Sequence, residues 1–431
     1  MNQAMAFEEK RQTKGIQMKE KDKSDLQVVS QEDSTDKEVR SIMEEIKEEN
    51  DILDELEEKI RQHKKRYIKK VSIVIVTIVL ALSGGIMYVM NQTYTDTRIL
   101  NTYSDGAEDG AQYIEFAGGI LKYTRDGAAF LNNKGKEKWN AAYQIQTPIA
   151  SVKKTAVAIA DKGGNDISVF GKNGLKGEIH TNLPIEKTAV SSQGIVSAIL
   201  KDGNTFRIVC YDAAGNVLVE HKTSPTVTGY PMDIDISDNG YMLLVSYLIV
   251  EDGVLTGRVA YYNFGDAGKN KEDYIVAQEV YPNAVIPTVF FMDDQTSVVV
   301  SEREIVIYKG KDVPEKLTSV KMTNGMKSVF YNEKSIGVVS NGKGGNILHI
   351  FDKKGRSLLA QKFDGEYKNA KISDNLVIMY SGKQCAVFSK GGVQRFAGEF
   401  DTDIFEIKPL LGLNKYLVIN TNGFEEIRFT K

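Results

Sequence analysis

IVCYDAAGNVLVE (208–220) and LHIFDKKGRSLLA (348–360) share one plan. An apolar run closes on a large aromatic residue, a polar turn carries glycine four residues later, and a second run alternates apolar with polar side chains. Alternation turns one face of each strand inward, and glycine takes the positive φ of a tight reversal at little cost, so each stretch reads as a β-hairpin. The pairing of a large apolar residue with a turn glycine recurs at Leu131 and Gly135, Phe170 and Gly174, Tyr211 and Gly215, Phe264 and Gly268, Phe351 and Gly355, and Phe388 and Gly392. Tyr308 fits as well, with Asp312 in place of glycine. Successive anchors stand 39, 41, 53, 44, 43 and 37 residues apart. A second family of turns lies one strand pair earlier, in ISDNGYMLL (236–244), FMDDQTSVVV (291–300) and ISDNLVIMY (372–380), so each unit supplies about four strands. Short strands repeating at a period of about 43 residues predict an all-β fold, a β-propeller over residues 91–431.

The blade number follows from the chain ends. KGGNDISVFGKNG (162–174) and KGGNILHIFDKKG (343–355) agree at seven of thirteen positions with an offset of 181 residues. That offset is close to four repeats and suits an eight-bladed ring whose halves echo one another. After the seventh anchor three strand candidates remain, near Phe405 to Pro409, Tyr416 to Asn420 and Glu425 to Phe429, so an eighth unit lacks its outermost strand. An open edge invites pairing with other chains. The expectation is that TRILNTY (97–103) crosses over to supply the missing strand and clasps the ring, with a seven-bladed propeller as the alternative.

Ahead of the repeats stands VSIVIVTIVLALSGGIMYVM (71–90), twenty residues without a charge. As a helix it spans roughly 30 Å, the thickness of a bilayer's hydrocarbon core. Five Lys or Arg fall among the seven residues before it, whereas Asn91 to Thr97 carries only Asp96. This asymmetry predicts a single-pass cell-membrane protein with a cytoplasmic N-terminus and residues 91–431 outside. A cleavable signal would sit within about the first 30 residues, with an apolar run of about 7–15. A buried core helix would carry a polar stripe. Residues 1–36 are polar throughout and read as a disordered cytoplasmic tail. Residues 37–70 read as a charged helix in which Val39, Ile46, Leu53, Ile60 and Tyr67 recur every seven residues, with Ile42 and Leu56 three places later. Glu49 and His63 interrupt that second seam, which leaves a homodimeric coiled coil and a lone juxtamembrane helix as the two readings.

Residues 1–70 hold 16 basic and 18 acidic side chains and the remainder 39 and 40, so neither part is a nucleic-acid binder by charge. The basic cluster at Lys64 to Lys70 is a topology signal with some attraction to anionic headgroups. Cys210 and Cys385 sit in apolar strand-like runs and read as two buried thiols, with a disulfide between them as the alternative. His349 alternates within a strand and reads as a packed side chain, and no ligand spacing surrounds His63. The sequence holds no G-x-S-x-G elbow, H-E-x-x-H helix, phosphate loop or C-x-x-C pair. DIDISDNG (233–240) fails the calcium-loop pattern at Ser237 and Asp238, and Lys343-Gly344-Gly345-Asn346 has a copy at 162–165, so both read as turns. No catalytic, cofactor-binding or metal-ligating residue is assigned.

ILKYTRDGAAFLNNKGKEKW (120–139), with Asp126-Gly127, Gly135-Lys136 and Trp139, resembles the repeat of pyrroloquinoline-quinone-type propellers. Residues from about 96 to 431 look like the uncharacterised family of membrane-anchored propellers of Gram-positive bacteria that carry a domain of unknown function. The resemblance implies the fold and no chemistry. Quinoprotein dehydrogenases of that superfamily hold their cofactor with a vicinal disulfide and a calcium ion, and tie each blade with a tryptophan. Here no two cysteines adjoin and Trp139 is the sole tryptophan. The expected function is therefore a non-catalytic binding or scaffolding module, without cofactor, for an envelope protein or glycan, working through loops on one face or the central channel. A transmembrane sensor that couples an outer ligand to the cytoplasmic helix is the alternative, and an envelope enzyme stands third.

Overall fold

A computed structural model describes residues 35–103, 108, 110–251 and 253–431, and the chain divides into two units between Met87 and Tyr88. The first is built of one helix, α1 (Thr35–Met90), which runs unbroken through the heptad stretch and the apolar run. It is long and apolar enough to cross a membrane by length and composition. Leu53, Leu56, Ile60 and Tyr67 expose half or more of their surface along it. The expected tail over 1–36 lies outside the described residues except for Thr35 and Asp36, which open the helix.

The second unit is a ring of eight four-stranded antiparallel sheets, with strands β1–β32 in chain order. Seven blades are sequential quartets over residues 112–142, 148–180, 185–222, 230–282, 288–321, 326–363 and 369–399. The eighth joins β30 (Ile404–Pro409), β31 (Lys415–Asn420) and β32 (Gly423–Thr430) to β1 (Asp96–Thr102) from the other end of the propeller. Asp96 lies opposite Thr430 and Thr102 opposite Glu425. The ring thus closes through the expected crossover, and the seven-bladed alternative falls.

Glu426 on β32 pins the clasp. Its carboxylate accepts hydrogen bonds from Asn101 Nδ2 at 3.1 Å and the Tyr103 hydroxyl at 2.7 Å, and pairs with Lys415 Nζ on β31 at 2.8 Å.

The first strand of each blade is innermost, and at most junctions it meets the first strand of the next blade. Blades stack face to face, so their middle strands are buried on both sides and read as unbroken apolar runs, as in β7 (Ala156–Asp161). Buried side chains form eight clusters, one at each junction between neighbouring blades. The closing junction brings Ile120 and Leu131 of blade 1 against Leu417 and Phe424 of blade 8. Burying such a side chain contributes about 1.5–3 kcal/mol. Closure by β1 therefore protects a full apolar junction as well as a row of backbone groups.

The recurrent hairpin turns have one cause. Asp212 Oδ1 accepts the backbone N–H groups of Ala214 and Asn216, each at 2.9 Å, and Asn132 and Asp352 do the same in blades 1 and 6. The glycine that follows takes φ of +70°, +89° or +74° at Gly135, Gly215 and Gly355. The repeated KGGN turns also match: Asn165 and Asn346 each donate from Nδ2 to a carbonyl oxygen, of Thr181 and Gly365, at 2.7 Å. They belong to blades 2 and 6, four apart, as the 181-residue offset implies.

Two anchors differ from expectation. In blade 5 the turn glycine is Gly310, two residues before Asp312. In blade 4 the hairpin residue is Tyr262, at the bulge beside Tyr261, and Phe264 to Gly268 lies in an insertion instead. Two ten-residue strands, β15 (Met242–Glu251) and β16 (Val254–Asn263), lengthen the interval from Tyr211 to Phe264 to 53 residues, and the inserted residues 264–274 follow it.

Candidate functional site

Two places in the propeller depart from plain repeat packing: the axis and the blade 4 insertion. At the axis the innermost strands have a free edge, and charged side chains from neighbouring blades fill it. Asp233 and Asp235 on β14 (Tyr230–Ile236) each accept a backbone N–H of blade 5, from Val289 and Phe291, at 2.7 Å. Lys187 reaches Asp233 at 2.6 Å and Lys153 reaches Asp235 at 2.9 Å. Across the ring Glu115 stands 3.5 Å from Lys371 and 3.4 Å from Lys408, and Lys371 also pairs with Glu406.

Every one of these carboxylates faces an ammonium. Burial holds Asp233 above the ordinary carboxylate range while Lys187 and the backbone amides of Val289 and Ile234 pull it back. The arrangement satisfies strand edges and locks adjacent blades, and a cavity of about 230 Å³ remains beside it. A lone raised carboxyl is a functional-site candidate in general, but here each oxygen already serves a backbone or lysine partner.

The insertion makes a larger opening. Turns between strands one and two, and between three and four, share one face of the ring, and on that face residues 264–274 wall a pocket of about 1000 Å³ spanning blades 4 and 5. Its frame is rigid. Asn239 donates its backbone N–H to Asp294 Oδ1 at 2.9 Å, and Asn263 Nδ2 donates to the Asp312 carbonyl oxygen at 3.0 Å, so both blades are tied together at the rim. Asn263 Oδ1 also accepts the Gly265 N–H at 2.8 Å, and Phe264 donates its N–H to the Tyr241 carbonyl oxygen at 2.8 Å. Gly268 is fixed by space: a Cβ there would stand 1.8 Å from the Asn263 carbonyl oxygen.

The loop ends in a short 3-10 turn, Glu272–Tyr274, in which Asp273 and Tyr274 take φ of +52° and +61°. Non-glycine residues in the left-handed region cost on the order of 1–3 kcal/mol each, and such strain gathers at ligand clamps. It presents Tyr274, 39% exposed, beside Tyr241, 58% exposed. Phe264 supports Tyr274 edge-on at 5.9 Å. Behind the wall His221 Nδ1 stands 4.0 Å from Asp273, its Nε2 is buried without a hydrogen-bond partner, and burial pushes its pKa down against the pull of Asp273.

Other residues singled out by sequence have structural places. Cys210 and Cys385 are buried and free in blades 3 and 7, and burial pushes the Cys210 thiol up to about 12. His349 Nε2 shares a hydrogen bond of 3.0 Å with the Ser340 hydroxyl and lies over Phe351. Trp139 donates its Nε1–H to the Lys172 carbonyl oxygen at 2.9 Å and stacks on Phe170, docking blade 1 on blade 2. Asp233 and Asp235 of the DIDISDNG run line the axis, and Asp238 pairs with Lys154 at 2.7 Å in the turn. Among the described residues no group of three His, Cys, Asp or Glu is arranged to hold a metal ion. No anchor spacing marks the pocket in the sequence, because the insertion begins with Phe264 and carries Gly268, a pair that mimics an ordinary hairpin anchor.

Residues 90–429 match the model of a family of unknown function, DUF5711. No curated protein matches the chain. Among solved structures, the computationally designed Ika8 protein is similar with a TM-score of 0.51 at 12% identity, over 75% of this chain and 98% of its own. BamB from Moraxella catarrhalis gives 0.44 at 10% identity, over 78% and 98%. Sqt1 from Saccharomyces cerevisiae gives 0.48 at 8% identity, over 79% and 100%. At such identity the likeness to the designed protein is one of fold alone.

Proposed function

The chain belongs to this family of unknown function, and we propose that it is a single-pass membrane protein whose outer propeller is a non-catalytic binding platform for an envelope component. The apolar run of α1 and the basic Lys64 to Lys70 flank support the anchor and its orientation. One observation carries the binding role. Seven blades keep short connections, whereas blade 4 inserts residues 264–274 and with them builds a framed pocket bearing exposed aromatic rings. In repeat proteins, insertions confined to one unit commonly form the binding face.

The test is capture of cross-linked envelope partners by the full chain and by a variant in which residues 264–274 are replaced with a short turn. A partner lost from the variant alone supports the reading. Identical captured partners would remove the pocket from the function.

A second reading draws on α1. Its unbroken course from the heptad stretch into the apolar run gives a rigid path along which an outer ligand could alter helix pairing inside. Cysteines introduced at positions 46, 53 and 60 should then form disulfide dimers in membranes, and dimers at none of the three would remove the basis for such coupling.

A further inference from the structure

We propose, resting on the binding reading above, that the blade 4 pocket takes an oligosaccharide, stacked on Tyr241 and Tyr274 and held at its hydroxyl rim by Asp266, Asp294 and Lys269. The lining decides between ligand classes. The charges are mixed: Asp266 and Asp312 stand with Lys269 and Lys311, and none of the four side chains forms an ion pair among the described residues. A phosphate or nucleotide cradle needs concentrated donors and positive charge, which this rim lacks. Its walls are turns rather than a free strand edge, so an extended peptide finds no ladder to join. An acyl chain or an amphipathic helix needs a continuous apolar groove, and here amides and charges interrupt the aromatic rings.

A pyranose offers what remains to be matched: a flat C–H face for an aromatic ring, bordered by hydroxyls that both donate and accept. Among the described residues the phenol hydroxyls of Tyr241 and Tyr274 have no hydrogen-bond partner, and both rings are exposed. The strained backbone at Asp273 and Tyr274 and the cross-blade bonds of Asn239 and Asn263 fix the rings before any ligand arrives, which lowers the ordering cost of binding. A volume of about 1000 Å³ is at the upper end for small-molecule pockets and suits several linked rings rather than one.

The experiment places the full chain in lipid nanodiscs and titrates it by calorimetry with chitotetraose, maltotetraose and a soluble disaccharide-peptide of the cell wall, with a tetrapeptide for comparison. At least one saccharide binds. Tyr241→Ala and Tyr274→Ala each weaken it tenfold or more, Tyr274→Phe stays within a few fold, and Tyr230→Ala on the opposite face changes nothing, all with unaltered thermal midpoints. No saccharide binding, binding of the tetrapeptide alone, or affinity untouched by both alanine variants would each overturn the proposal. If partner capture still depends on residues 264–274 while no saccharide binds, the ligand class fails and the binding platform stands; if capture is independent of the loop as well, both fail.

Discussion

Glu426 shows how much of this ring depends on single polar side chains. Lys415, Tyr103 and Asn101 hold its carboxylate down from an ordinary 4.5 to about 2, the lysine contributing most. A carboxylate with a depressed folded pKa adds stability above its unfolded value, and that stability is lost as pH falls toward the folded value. Glu426→Gln should therefore lower the thermal midpoint at pH 7 by the equivalent of about 1 kcal/mol, allowing for solvent screening. The difference from the unaltered protein should shrink between about pH 5 and pH 3; a constant difference across that range would show that its charge does not hold the clasp. Gly268 makes a contrasting case, because its position is dictated by space rather than charge. Gly268→Ala would force Cβ to within 1.8 Å of the Asn263 carbonyl oxygen, so residues 264–274 must shift. Because the loop lies outside the blade junctions, ligand or partner capture should fall tenfold while the midpoint barely moves. Unimpaired capture would mean that the loop's shape is irrelevant to binding. Neither role could be read from sequence: Glu426 finds its partners Asn101 and Tyr103 more than 320 positions away, and Gly268 looked like one more hairpin glycine.

At the scale of elements, local chemistry was the legible part. Hairpins at 208–220 and 348–360 are written in adjacent residues, through an Asp that caps two amides and a glycine that turns, so their existence and period could be read directly. The crossover of β1 was also legible, because counting strands left one blade short and one strand candidate spare. The axis was not. YPMDIDI (230–236) alternates acid with apolar residues as an inward-facing strand should, yet its acids serve blade 5, which no local pattern announces. Blade 4 was misjudged for a similar reason: its ten-residue strands and insertion displaced the anchor from Tyr262 to Phe264. The clasp carries the clearest element-level prediction. A fragment starting at Ser104 lacks β1, which leaves the backbone groups of β32 unpaired and uncovers Glu425 to Thr430. It should melt at least several degrees below a fragment starting at Asn91 and aggregate more readily, with a mechanism in lost pairing rather than lost linker. Equal midpoints and equal solubility would show that the ring holds without its eighth outer strand.

For the molecule as a whole, the question that orders the others is which side of a membrane each unit occupies. The basic flank at Lys64 to Lys70 argues that the helix enters from the cytoplasm, since translocation of clustered Lys and Arg is disfavoured. The protein itself supplies a clean background for a labelling test. Cys210 is buried with its thiol pushed up to about 12, and Cys385 is likewise buried and raised, so neither presents a thiolate to a maleimide while the ring is folded. A cysteine introduced by Glu55→Cys then reports on the helix ahead of the apolar run and one by Lys172→Cys on the propeller, both positions being exposed. With a membrane-impermeant maleimide on intact cells, Lys172→Cys should label at once and Glu55→Cys only after detergent. Replacing the five Lys and Arg of residues 64–70 with Gln should erode that asymmetry, because the orienting charge is gone while the apolar run is intact. Labelling of Glu55→Cys alone would invert the assignment and place the blade 4 pocket in the cytoplasm, out of reach of any envelope ligand. Labelling of both before detergent would mean that the apolar run does not cross a membrane, and the anchored platform would then have no anchor.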